Sequence, residues 1–134
     1  MGNGSLSPQI DYYMRNFRDF TFWRDAVLLA KDICIYTRSF PIEERYGLGD
    51  QLRRASVSIA SNIAEGSGRS SDSDFAHFLD ISLGSAYEVE TQIYIAEQLN
   101  YFTAQERKEL VNRINSIERR ITSFINKLRK GNDH

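Results

Sequence analysis

Beyond Pro41 the chain contains no proline, and its apolar residues recur in steps of three and four almost to the C-terminus. Proline obstructs the interior of a helix, so its absence leaves long stretches free to be helical. Steps of three and four place side chains on one face of a helix, whereas a strand would alternate. We therefore predict an all-α protein with four helices and no strand. The four apolar stripes are Phe22, Ala26, Leu29, Ile33, Tyr36 and Phe40; Leu52, Ser56, Ile59 and Ile63; Phe75, Phe78, Leu79, Ser82, Ala86, Val89, Ile93 and Ala96; and Leu110, Ile114, Ile117, Ile121, Phe124 and Leu128.

Turn and capping residues mark where these helices end. Pro41 stops the first helix, and Gly66 with Gly68 stops the second. The third helix is expected over residues 72–99, and Thr103 caps the fourth. Because the connections are short, consecutive helices should lie side by side in an antiparallel up-down four-helix bundle.

Composition fits one domain. The 134 residues are 41% hydrophobic and 26% charged, which suits a single core. We expect a flexible N-terminal arm over residues 1–16, the bundle over 17–130 and a disordered tail over 131–134. No run approaches the roughly 18 apolar residues of a membrane helix, and the N-terminus does not read as a signal peptide. The sequence therefore predicts a cytoplasmic protein that engages no membrane.

The residues needed for catalysis or metal binding are scarce. A di-iron bundle needs two Glu-x-x-His pairs, but the chain has only His77 and His134, and the one related spacing is Asp74-x-x-His77. Cys34 is the single cysteine, and we expect it among apolar residues with no nearby cation to activate its thiol. We therefore expect a protein that is not an enzyme and has no metal, cofactor or small-molecule substrate.

The second and third helices carry more packing surface than one bundle uses. The stretch SIASNIAEGSGR, residues 58–69, spreads small side chains around the second helix, which lets neighbouring backbones approach closely. The third helix bears apolar residues nearly opposite its core stripe. This predicts a homo-oligomer, the alternative being that the serines face water. The expected interface residues are Ser58, Ser61, Asn62, Glu65, Ile81, Ile95 and Leu99.

Charge is unevenly placed, although the net charge is only −1. Residues 103–130 hold eight bases against three acids, whereas residues 72–100 hold six acids and no base. Two readings stay open: the two helices neutralise each other inside the bundle, or the basic side binds nucleic acid. The expected nucleic-acid contacts are Arg53, Arg54, Arg69, Arg113, Arg119, Arg120 and Lys127.

Several motifs in a fixed order resemble one protein family. They are Trp23; Phe40-Pro41 with Glu44-Arg45-Tyr46-Gly47; Gln51-Leu52-Arg53-Arg54-Ala55; Asn62-Ile63-Ala64-Glu65-Gly66 with Arg69; and Gly84-Ser85 with Glu88 and Glu90. Over about residues 17–130 the chain resembles the small four-helix bundles encoded in intervening sequences of bacterial 23S ribosomal RNA genes.

The resemblance implies a non-enzymatic helical bundle. Relatives assemble as pentameric barrels, so it also implies a homopentamer. One branch, the accessory proteins of diversity-generating retroelements, binds a reverse transcriptase and nucleic acid. We accordingly expect a non-catalytic oligomeric scaffold that engages structured RNA, single-stranded DNA or a nucleic-acid enzyme such as a reverse transcriptase. The alternative is a protein–protein adaptor with no affinity for nucleic acid.

Overall fold

The computed structural model describes residues 15–132, and four α helices account for most of them. Single 3₁₀ turns at Phe17–Asp19 and Ile42–Glu44 precede the first two helices, and no strand occurs among the described residues. The predicted all-α fold with four helices is therefore confirmed. The helices are α1 (Thr21–Thr37), α2 (Leu48–Ser67), α3 (Asp72–Gln98) and α4 (Ala104–Asn132).

The predicted terminal segments are only partly described. The expected flexible arm over residues 1–16 lies outside the described residues except for its last two, and residues 133–134 of the expected tail also lie outside. Arg15 pairs with Asp72, and its guanidinium donates a hydrogen bond of 3.1 Å to the carbonyl of Arg69. The C-terminal end of the arm is thus attached to the connection between α2 and α3.

The caps around α3 and α4 form as their sequences indicate. The Glu106 backbone N–H donates to Thr103 Oγ1 over 3.0 Å, and the Thr103 N–H donates to Glu106 Oε1 over 2.9 Å. Ser71 Oγ accepts a hydrogen bond of 3.0 Å from the Asp74 N–H at the start of α3. Asn100 has a φ of 62°, a left-handed conformation that asparagine tolerates, and it lets the chain turn between α3 and α4.

The apolar stripes meet in one core, with small departures from the expected membership. Tyr36, Phe78 and Phe124 are only partly buried, because each lies at the edge of its stripe. Val111 and Ile125 are buried instead, so α4 presents a broader apolar face than a simple heptad spacing predicts. The core therefore involves all four helices.

Aromatic rings close one end of this core. Trp23 is half-buried there, with its ring centroid 4.9 Å from that of Phe17. Phe20 contacts Phe75 and Phe124 at centroid separations of 6.0 Å and 5.0 Å. Trp23 therefore lies at one end of the core.

The most extensive helix contact joins α2 and α3. Ser82 is fully buried, and its hydroxyl donates a hydrogen bond of 2.7 Å to the carbonyl of Ile59. A Cβ placed on Gly66 would lie only 2.6 Å from the Cβ of Phe78. The small residues of α2 therefore permit this close approach within one protomer.

Candidate interaction surfaces

The expected interface residues Ser58 and Asn62 lie on the contact between α2 and α3. Ser58 Oγ and Ser85 Oγ are 2.9 Å apart and share a hydrogen bond. Asn62 Nδ2 donates to both the carbonyl and the hydroxyl of Ser58, each over 2.9 Å. Since these groups are half-buried and bonded within the protomer, they contribute to its own helix packing.

The other side of α2 forms an apolar groove against α1. Its volume is about 360 Å³, and Ser61 lies in its wall, exposed to solvent. Glu65 is also exposed, and its carboxylate accepts a hydrogen bond of 3.1 Å from Arg69. The small side chains of α2 therefore pack inside the bundle on one side and leave an open groove on the other, and burial of that groove against another copy stays a prediction. We call this surface the α1–α2 groove; it is lined by Trp23, Val27, Ala30, Val57, Ala60, Ser61 and Ala64.

A second apolar surface runs along α3 on the side away from the core. Ile81, Ile95 and Leu99 are 41%, 46% and 48% exposed. Gly84 lies on the same side, and a Cβ added there would meet no other atom within 4 Å. A glycine in a helix interior is less stable than alanine by about 1 kcal/mol, and no packing within the protomer requires it here. We call Ile81, Gly84, Ile95 and Leu99 the outer α3 face.

Half of the eight bases in residues 103–130 are matched by carboxylates on neighbouring helices. Arg107 Nε lies 2.9 Å from Glu97 Oε1, and Arg129 pairs with Asp80, so two bases meet acids of α3. Between these two positions, two more arginines of α4 pair with α1. Neutralisation between the acidic and the basic helix therefore accounts for two of these eight bases, and binding of nucleic acid by the basic side stays a prediction.

Arg113 and Arg120, both expected nucleic-acid contacts, line a groove of about 370 Å³ between α1 and α4. Arg113 Nη1 lies 2.7 Å from Asp32 Oδ2, and Arg120 Nη2 lies 2.7 Å from Asp25 Oδ2. Burial raises the pKa of the Asp32 carboxyl, but the hydrogen bond and charge of Arg113 outweigh it, so that pKa is lowered overall. Both arginines thus connect α4 to α1.

The other expected basic contacts do not form one patch. Arg54 Nε lies 2.8 Å from Asp50 Oδ2, and Arg69 stacks over the Phe78 ring at 4.5 Å. At 1.5 Å of rise per residue, about 23 Å of helix separates these two positions. Arg119 and Lys127 are exposed and form no ion pair within residues 15–132.

Arg53 belongs to the connection between α1 and α2. Its guanidinium donates to Thr37 Oγ1 over 3.1 Å and to the carbonyl of Arg45 over 2.9 Å. Glu44, in the same connection, accepts hydrogen bonds from Tyr101 Oη (2.9 Å) and from the N–H at the start of α2. The hydrogen bond to Glu44 raises the pKa of Tyr101. The motif FPIEERYG and Arg53 therefore fix the geometry of this connection.

Glu118 is buried on α4, which we did not expect from the sequence. Asn115 Nδ2 donates to Glu118 Oε1 and to Glu90 Oε1, each over 3.0 Å, while Glu118 Oε2 has no partner among the described residues. Burial, with the neighbouring Glu90 carboxyl, raises the pKa of Glu118 to about 7. A signal was present: Glu118 follows Ile114 by four residues and precedes Ile121 by three, on the buried stripe.

Residues 15–132 contain no group of three His, Cys, Asp or Glu side chains placed to hold a metal ion. Within that range, none of the helices combines the length and the apolar character that a membrane span requires. The absence of catalysis and of cofactors, and the cytoplasmic location, stay predictions.

Comparisons with known proteins place the chain in a family. Among solved structures it is similar to a protein of unknown function from the S23 ribosomal protein family of Bacteroides thetaiotaomicron, with 24% identity and a TM-score of 0.72. That match covers 78% of this chain and 95% of the other, and it shows the fold. A comparison with curated proteins finds no match. The model of the 23S rRNA-intervening sequence proteins matches residues 18–123. Since the matched residues make up most of this chain, the chain belongs to the 23S rRNA-intervening sequence protein family.

Proposed function

We propose that this protein is a non-catalytic homo-oligomeric scaffold that binds a macromolecular partner, with RNA, single-stranded DNA or a nucleic-acid enzyme such as a reverse transcriptase as the leading candidate. The observation that carries the assembly is the outer α3 face. Three large aliphatic side chains are 41–48% exposed on this side, which also carries a helical glycine that no contact within the protomer explains. Burial of this surface against another copy would account for both.

The two apolar surfaces are suited to contact each other. The outer α3 face presents Ile81 near the middle of α3 and Ile95 with Leu99 at its C-terminal end, with the exposed Glu88 between them, whereas the α1–α2 groove is a depression with small α2 residues in its wall. A contact between two different surfaces repeats around an axis and closes a ring when the rotation allows it. The proposed number of protomers in the ring is five, and this number comes from the family resemblance. The antiparallel up-down order is likewise part of the proposal, and it is supported by ion pairs of α4 with α3 near both ends of α4.

Nucleic-acid binding rests on the basic residues that lack an internal partner. Arg119 and Lys127 are exposed on α4 and form no ion pair within the described chain. In a ring they would be repeated once per protomer, so that weak phosphate contacts add through multivalency. A net charge of −1 on each chain makes such binding modest and sensitive to salt.

A protein–protein adaptor is the second candidate, and one observation favours it. Each of the other five basic residues expected to contact nucleic acid has a carboxylate within 4 Å in the protomer, so much of the positive charge is already matched. An adaptor of this kind would use apolar surface and the acidic α3, and it would not bind RNA.

Light scattering coupled to size exclusion, followed by RNA and single-stranded DNA titrations at low and moderate salt, tests the proposal. We expect a mass well above the 15.5 kDa of one chain, and binding that weakens as salt rises. Replacing Arg119 and Lys127 together by Glu should weaken binding by about tenfold or more. The matched control replaces Arg24 and Lys31 by Glu, which makes the same change of charge on α1.

The outcomes separate the candidates. A monomer at micromolar concentration would remove the assembly. An oligomer that binds no nucleic acid at low salt, or whose binding is unchanged by Arg119→Glu with Lys127→Glu, would be an adaptor. Equal losses in the α1 control would mean that net charge, and not these positions, governs binding.

A further inference from the structure

A groove of about 560 Å³ opens beside the connection between α1 and α2. Three arginines line it: Arg38 just after α1, Arg45 in the connection and Arg53 in the first part of α2. No carboxylate is among its lining residues. One protomer supplies the whole groove, so its formation does not depend on the assembly proposed above.

Two of the three guanidinium groups are available. Arg38 and Arg45 are exposed, and neither forms an ion pair within residues 15–132. The nearby carboxylate of Glu44 is engaged by Tyr101 Oη, at 2.9 Å, and by the N–H of Leu48. Glu43 and Glu44 of the connection equal these two arginines in number, but neither carboxylate lines the groove and neither pairs with Arg38 or Arg45 within residues 15–132.

The third guanidinium is held in place. Arg53 Nη1 donates to Thr37 Oγ1 over 3.1 Å, and Nη2 donates to the carbonyl of Arg45 over 2.9 Å. Asp50 Oδ1 lies 3.7 Å from Arg53 Nη2, which is long for an ion pair. Because Arg53 fixes the backbone at Arg45, it also fixes the point from which the Arg45 side chain extends. A site ordered in this way loses less freedom when an anion binds.

We infer that this groove binds a phosphate group. Planar guanidinium groups bind phosphate oxygens through paired, charge-assisted hydrogen bonds, and three of them around one depression favour a dianion. Pro41 and Ile42 form an apolar wall beside the arginines, and Ile42 is 74% exposed. The wall provides a contact for whatever carries the phosphate, which is either a small phosphorylated molecule or the backbone of a nucleic acid.

Cys34 makes this inference directly measurable. It is the chain's single cysteine and it lines the groove with three arginines, so the expectation from the sequence that no cation lies near it is wrong. The rate at which the neutral reagent N-ethylmaleimide modifies Cys34 should fall when the groove is occupied. The full-length protein is titrated in turn with inorganic pyrophosphate, a nucleoside 5′-monophosphate and a single-stranded RNA lacking terminal phosphates, with sodium chloride added to equalise ionic strength.

We expect protection that saturates with concentration. Replacing Arg38 and Arg45 together by Gln should raise the concentration needed for half-protection by about tenfold or more, because two charge-assisted contacts are lost. The matched control replaces Lys108 and Lys130 together by Gln, which removes two exposed bases of α4 outside the groove and should leave protection unchanged. Protection by pyrophosphate and the nucleotide assigns the groove to small phosphorylated ligands, and protection by RNA alone assigns it to backbone phosphate.

Two results would overturn the inference: no protection by any of the three ligands, or equal protection in the variant lacking Arg38 and Arg45. Should Cys34 react too slowly for the assay, equilibrium dialysis with radiolabelled pyrophosphate decides the question by the same comparison. Failure here leaves the proposed scaffold untouched, since that rests on Arg119, Lys127 and the outer α3 face. Loss of RNA binding in the Arg119 and Lys127 variant would likewise leave pyrophosphate protection in place.

Discussion

Gly66 has no side chain, and this allows the close contact between α2 and α3. A Cβ there would lie 2.6 Å from Phe78 Cβ and 3.3 Å from the Phe75 carbonyl oxygen, and neither atom can move away without moving α3. We predict that Gly66→Ala lowers the free energy of unfolding by about 1–3 kcal/mol, the usual effect of overpacking. Urea denaturation followed by circular dichroism measures it.

Gly68 is the matched control, two residues further along the chain. Its φ is −84°, and an added Cβ would meet only the Glu65 carbonyl oxygen at an ordinary 3.6 Å. Gly68→Ala should therefore leave the free energy of unfolding unchanged or raise it by about 0.5 kcal/mol. A loss equal to that of Gly66→Ala would show that both glycines act through backbone freedom and not through close packing.

The buried carboxyl of Glu118 should make stability depend on pH. Its pKa is about 7 in the folded protein and near 4.5 when exposed, so between these values the folded state holds a proton that the unfolded state has released. This contribution favours folding most below pH 4.5 and is lost as the pH rises through 7. Glu118→Gln removes the ionisation and should raise the free energy of unfolding at pH 8 by about 1–3 kcal/mol.

The gain from Glu118→Gln should shrink between pH 8 and pH 5, which urea denaturation at several pH values will show. Glu109→Gln is the control on the same helix, because Glu109 is exposed and its carboxylate contacts only Gln105 within the described chain. A gain of the same size at both pH values would mean that Glu118 is stabilised by its hydrogen bonds and stays ionised.

Among the elements, helix positions were the most predictable feature of the sequence. The capping box of Thr103 with Glu106 acts within a few residues, so local chemistry decides it. The first helix, by contrast, ends at Thr37, so Phe40 lies outside it and the helix stops before the predicted end at Pro41. Burial at the stripe edges was less predictable, because Tyr36 and Phe124 depend on the angle at which their helices cross. The burial of Glu118 was also hard to predict, because it depends on how α3 and α4 align. Asn115 donates hydrogen bonds both to Glu118 on its own helix and to Glu90 on α3.

Arg53 and Arg54 are adjacent in sequence and both were expected to contact nucleic acid, yet they belong to different environments. Arg53 bonds to Thr37 and to the Arg45 carbonyl, whereas Arg54 is 79% exposed and pairs only with Asp50. Arg53→Gln should lower the free energy of unfolding by about 1–3 kcal/mol through loss of these bonds. Arg54→Gln should change it by less than about 0.5 kcal/mol. Equal effects in thermal or urea denaturation would contradict a structural role for Arg53.

For the molecule as a whole, the sequence shows which segments are acidic and which are basic, but it does not show which charges pair with each other. The excess of bases in residues 103–130 and of acids in residues 72–100 can be counted. Which base meets which acid depends on how the helices align, and Arg113 with Arg120 turned out to pair with α1. The surplus apolar residues of α3 were equally visible, because a helix that shows apolar side chains on opposite sides needs two partners.

Assembly and nucleic-acid binding are coupled in the proposed scaffold, and Gly84→Arg tests both. A Cβ added at this position would meet no other atom of its own protomer within 4 Å, so the helix content measured by circular dichroism should be unchanged. On the outer α3 face it would place a charge where another copy packs, so light scattering should give the mass of one chain. Because multivalent contacts are then lost, RNA affinity should fall by about tenfold to a hundredfold.

Charge alone predicts the opposite change, since an added arginine should strengthen RNA binding. Ser123→Arg supplies the comparison: it adds the same charge at an exposed position on the solvent side of α4, and it should keep the oligomer while raising affinity slightly. A Gly84→Arg protein that stays oligomeric would show that copies meet through another surface. A monomeric variant that binds RNA as tightly as the unmodified protein would separate binding from assembly and leave the scaffold proposal without its source of affinity.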